Sequence, residues 1–101
     1  MREDVGVTDV PEEPFRLRVE QSFKITGRGT TVFGVIEQGV LHVGEEVRLV
    51  RGDSGGPVAV CLGIDAAPRY VRDDGQPYKI GLIVPAFDAA DVHAGDLIVR
   101  A

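Results

Sequence analysis

FRLRVEQSFKITGRGTTVFGVIEQ, residues Phe15 to Gln38, decides how this chain folds. Phe15, Leu17, Val19, Phe23 and Ile25 share one parity; Arg16, Arg18, Glu20, Ser22, Lys24 and Thr26 hold the other. A period of two is that of a β-strand with one face in a core. Only Gln21 interrupts the apolar face. Gly27-Arg28-Gly29 then breaks the pattern, and Thr30 to Ile36 is rich in β-branched residues. A second strand after a glycine-framed turn is expected, and the two make a long hairpin.

Shorter strands follow. Val47 and Leu49 alternate with Glu46 and Arg48, and Val58, Val60, Leu62 and Ile64 alternate with Ala59, Cys61, Gly63 and Asp65. Ile80, Leu82 and Val84 form another run, and Leu97 and Val99 the last. No window carries a helical stripe, although AFDAADVH has room for one helical turn, and AAPRYVRDDGQPY reads as a loop. His42-Val43-Gly44-Glu45 and His93-Ala94-Gly95-Asp96 each enter a strand, and glycine at the third place suits a turn with positive φ. The fold class expected is all-β, a barrel or sandwich. Apolar residues on both parities of Thr30 to Ile36 and of Ile80 to Val84 predict that part of the outer face is covered.

The chain has 101 residues, enough for one domain. Its net charge of -5 is uneven: residues 1 to 14 hold Arg2 against Glu3, Asp4, Asp9, Glu12 and Glu13, leaving -1 for the rest. Residues 1–14 therefore read as an acidic flexible arm and residues 15–101 as the folded body. A near-neutral body lacks the basic field of a non-specific nucleic-acid binder, but a local RNA contact is compatible with it. A single cysteine excludes an intrachain disulfide. No apolar run has the length of a membrane-spanning helix, and the acidic N-terminus is no secretory signal. The expectation is a cytoplasmic domain with no membrane partner.

Gly52-Asp53-Ser54-Gly55-Gly56-Pro57 spells the serine-nucleophile string of chymotrypsin-like proteases. Such a serine needs a histidine base and an orienting acid. Only His42 lies upstream, its nearest acids being Glu45 and Glu46, and His93 follows in the wrong chain order. The six residues are all turn formers, so an exposed loop is the expectation. Two histidines and one cysteine provide no metal-ligand spacing, and Cys61 reads as a small packing residue. No phosphate-binding loop is present, and Asp73-Asp74-Gly75 lacks the glutamate of a calcium loop. No enzyme activity and no cofactor are expected.

Residues 14 to 50, PFRLRVEQSFKITGRGTTVFGVIEQGVLHVGEEVRLV, resemble the start of the second, β-barrel domain of elongation factor Tu and related translational GTPases. The shared features are Pro-Phe, the alternating strand, the Gly-Arg-Gly-Thr turn, Gly-x-[IV]-Glu-x-Gly and Val-Gly-[DE]-Glu-Val. Gly63-Ile64-Asp65, Ile80 to Val84 and Asp91 to Val99 resemble later parts in the same order. The resemblance implies a six-stranded antiparallel Greek-key barrel, free-standing and without the GTPase domain. It also implies a pocket for the terminal adenosine of tRNA, to which Glu20, Phe23, Arg28, Asp65 and Lys79 correspond. Gln21 stands where the family has an acid, Asp65 where it has glutamate, and Lys79 where it has asparagine.

The expected function is a non-catalytic interaction module with a protein or ribonucleoprotein partner, or a self-association surface. The alternative is a binder of tRNA or RNA 3′ ends through Glu20, Phe23, Arg28, Asp65 and Lys79. On parity alone Glu20 faces solvent and Phe23 faces the core.

Overall fold

The computed structural model describes residues 14–66, 71, 75 and 77–101. Residues 1–13 of the acidic arm, and most of AAPRYVRDDGQPY with Asp73 and Asp74, lie outside the described residues.

Strands β1 (Arg16–Ile25) and β2 (Gly29–Gln38) form the expected hairpin around Gly27-Arg28. Then come β3 (Glu46–Arg51), β4 (Ser54–Val60), β5 (Gly63–Ala66) and β6 (Lys79–Ile83). A short 3-10 helix (Ala89–Asp91) is capped by the Asp88 carboxylate and leads to β7 (Leu97–Arg100). All pair antiparallel in one sheet, in the order β4-β3-β7-β1-β2-β6-β5.

Two differences from the expected barrel follow. The described strands number seven rather than six, and no ladder joins the sheet's edges, β4 and β5. Both have one cause. The alternation from Val58 to Ile64 reads as one strand, but its first part pairs with β3 and its last with β6. Only Cys61 and Leu62 separate β4 from β5. The Cys61 N–H donates to the Glu45 carbonyl and the Leu62 N–H to the Ile83 carbonyl, so the chain crosses from one edge of the sheet to the other.

The core lies on the inner face, with Phe15, Leu17, Val19, Val32, Val47, Leu82, Val84 and Ile98 buried. Cys61 is buried among them, as expected, and its thiol donates to the Gly63 carbonyl at 3.3 Å. Burial pushes that thiol's pKa up, so it stays protonated.

The parity of the first strand does not survive its full length. Val19 pairs with Gly34 but Gln21 with Phe33, so Glu20 is an extra residue, a β-bulge. Leu17 and Val19 point inward before it. After it Ser22 points inward, its Oγ 3.0 and 3.1 Å from the carbonyls of Ala89 and Val92. Phe23 is turned out of the core and is 48% exposed. The core position expected for Phe23 is thus corrected.

The two His-x-Gly-acid turns are one device used twice. The His42 N–H donates to the Glu45 carboxylate at 2.7 Å and the His93 N–H to the Asp96 carboxylate at 2.9 Å. Gly44 and Gly95 have φ of 97° and 93°. Arg51, ending β3, forks onto Asp96 with bonds of 3.0 and 2.9 Å, and Arg100, ending β7, reaches Glu45 at 3.1 Å. The adjacent strands β3 and β7 are therefore pinned reciprocally, each arginine holding the turn that begins its neighbour.

Gly52-Asp53-Ser54-Gly55-Gly56-Pro57 is less of a loop than expected. Arg51 pairs with Ser54, so only Gly52 and Asp53 form the turn and Ser54 to Pro57 open β4. Ser54 is exposed. His42 and His93 stay in their own turns, His42 Nδ1 3.5 Å from Glu45 and His93 Nε2 3.0 Å from the Ala90 carbonyl.

Candidate functional site

Register places a set of side chains on the outer face of β1, β2, β6 and β5. Residues directly opposite in an antiparallel pair share a face. One row is Gln21, Phe33, Gly81 and Asp65; the next is Phe23, Thr31, Ile83 and Gly63. In the first row Gly81 has no side chain, and the Phe33 ring occupies that space. A Cβ at position 81 would stand 2.8 Å from Phe33 Cε1. The ring and the bare backbone of Gly34 and Gly81 line a cleft of about 280 Å³, bordered by Glu20, Gln21, Asp65, Ala66, Lys79 and Ile80.

Three of the five expected site residues, Glu20, Asp65 and Lys79, thus line one cleft although they come from three strands. The bulge carries Glu20 to its rim, where its carboxylate lies 3.5 Å from Lys79 Nζ. Arg28, from the β1–β2 turn, forms an ion pair with Asp65, spanning β6 to reach β5. Phe23 does not line the cleft. Its ring stands edge-on to that of Phe33, with centroids 6.0 Å apart at 61°.

Phe33 and Gly81 were not among the site residues expected from the sequence, and Gln21 was noted only as a break in the apolar face and a departure from the family pattern. Phe33 reads there as one apolar residue in a strand apolar on both parities. On the outer face Thr31 is fully buried and Phe33 half-buried, while Phe23 is exposed.

The site's electrostatics are balanced: Glu20 and Asp65 face Lys79 and Arg28. All four side chains keep substantial contact with water. Exposed ion pairs contribute only about 0–1 kcal/mol, so a ligand rearranges them at little cost. The cleft therefore offers an aromatic face, two carboxylates that accept hydrogen bonds and the Lys79 ammonium that donates them, with Arg28 beside it on Asp65. A flat neutral group with both donors and acceptors fits that set better than an ion.

A second surface is apolar. Val58, Val60 and Leu62, in and just after the edge strand β4, are exposed, as is Val43. Among the described residues no helix is long and apolar enough to cross a membrane. No protein-family model matches the chain.

Proposed function

We propose that this domain is a non-catalytic binding module of the translation-factor barrel type, and that it holds the unpaired 3′ end of an RNA, free or within a ribonucleoprotein. The observation that carries the reading is the convergence of Glu20, Asp65 and Lys79 on one cleft beside the Phe33 ring. A terminal base stacks on an aromatic ring and presents its edge to flanking polar groups, which is how single-stranded RNA is ordinarily recognised. The carboxylates accept from an exocyclic amino group or a ribose hydroxyl; Lys79 and Arg28 donate to ring nitrogens or phosphate oxygens. Support for the barrel comes from the two-residue link that carries the chain between the sheet's edges.

The test is an anisotropy titration of a labelled RNA hairpin with four unpaired 3′ nucleotides ending in adenosine, against the blunt hairpin. The overhang is expected to bind and the blunt form to bind far more weakly. Phe33→Leu should lower affinity about tenfold, within the range for loss of one stacked base. Equal affinity for both hairpins would remove the RNA-end reading.

The second reading is a protein partner or a second copy of the chain docking on Val43, Val58, Val60 and Leu62. An exposed sheet edge with apolar side chains is a ready pairing surface. Val60→Glu should then abolish association seen by light scattering or with a captured partner, and leave RNA binding intact.

A further inference from the structure

We propose that the outer face of β1 and β2 holds two successive unpaired nucleotides, the terminal base on Phe33 in the cleft and the preceding base on Phe23 beside it. The inference rests on the RNA-end reading above and adds a second subsite. Its ligand is a single-stranded RNA end with at least two unpaired nucleotides.

The bulge at Glu20 is the first ground. Without it the alternation of β1 would send Phe23 into the core; with it, a large aromatic ring stands 48% exposed on the face that carries the cleft. Bulges commonly re-aim side chains next to functional sites. The second ground is the relation of the rings. Phe23 and Phe33 lie on adjacent strands with centroids 6.0 Å apart and planes at 61°. Rings so inclined do not share one stacking partner, so two bases would have to take one ring each. Two aromatic rings on neighbouring strands are the device with which a sheet stacks two or three bases of single-stranded RNA.

The third ground is charge. Arg28, held on Asp65, extends from the turn that follows Phe23 toward the cleft's rim. It supplies a cation for the phosphate that joins the two nucleotides. Thr31, directly across from Phe23, is fully buried, and its hydroxyl has no hydrogen-bond partner among the described residues. Leucine at position 23 keeps an apolar cover over that row, whereas alanine would uncover it.

The experiment uses the overhang hairpin with 2-aminopurine at either the last or the next-to-last position, with affinity followed separately by anisotropy. Both probes are expected to change emission on binding the full chain. In Phe23→Leu the penultimate probe should lose its response while the terminal probe keeps it, with affinity lower by about tenfold or less. In Phe33→Leu the terminal response should go. Arg28→Gln should weaken binding of both RNAs alike and lower the salt dependence. Binding with a silent penultimate probe would overturn the two-base arrangement and leave the RNA-end reading standing. So would equal loss of both responses in Phe23→Leu. No binding of either RNA would overturn both. If Phe33→Leu fails to fold, the penultimate response of the unaltered chain and of Phe23→Leu still decides.

Discussion

Phe33 keeps its place because position 81 has no side chain. In Gly81→Ala the new methyl would meet the ring at 2.8 Å, and the ring must move. The expected result is a loss of about 1–3 kcal/mol in urea unfolding, with displaced Phe33 ring signals in the NMR spectrum. An alanine variant with unchanged ring signals would contradict the packing described. Cys61 gives a second residue-scale prediction. It is fully buried, and burial keeps the thiol protonated, so it should resist a thiol reagent at neutral pH and react only on unfolding. Its packing role was expected from its size, but its face was not: alternation sets it opposite Val60 and Leu62, and in the structure Ala59 and Cys61 are the buried residues while Val58, Val60 and Leu62 are exposed. Nor was the position of Phe23 legible. Simple parity puts it inside, and the one mark against that was Gln21 on the apolar face. In the structure that mark is the bulge, seen one residue late.

Among elements, the reciprocal pins of β3 and β7 decide how the sheet holds together at its middle. Asp96 is nearly buried and accepts from the Arg51 fork and from the His93 N–H. Glu45, in the matching turn, is more exposed. Asp96→Ala should therefore destabilise by about 2 kcal/mol, the scale of a charge-assisted hydrogen bond, and more than Glu45→Ala does. The Arg51 bond first, then the His93 N–H, lowers the Asp96 pKa in the folded state. The unfolded chain takes up the proton more readily as pH falls, so the contribution is complete above the ordinary carboxylate pKa of about 3.9 and lost as pH drops through the lowered folded value. Urea midpoints should decline below about pH 4, and more gently in Asp96→Asn; parallel declines would contradict the pin. The turns were legible as a repeated His-x-Gly-acid string. The arginines that complete them were not, since nothing local ties Arg51 to Asp96 across 45 residues.

For the whole molecule, the all-β class followed from alternation alone, and the hairpin from Gly27-Arg28-Gly29. The number of strands did not, because Val58 to Ile64 alternates without a break while changing partners at Cys61-Leu62. Part of the candidate site was legible through the resemblance, which named Glu20, Asp65 and Lys79. The aromatic floor was missed because its meaning depends on which strands become neighbours: Phe33 matters only once Gly81 lies across from it. We propose the outer face of β1, β2, β6 and β5 as an RNA-end surface. Its most direct test is an amide chemical-shift map of the labelled full chain titrated with the four-nucleotide overhang hairpin. Shifts are expected to cluster at Glu20 to Phe23, Phe33 and Gly34, Asp65 and Ala66, and Lys79 to Gly81. Shifts confined to Val43, Val58, Val60 and Leu62, or no shifts at saturating RNA, would contradict it.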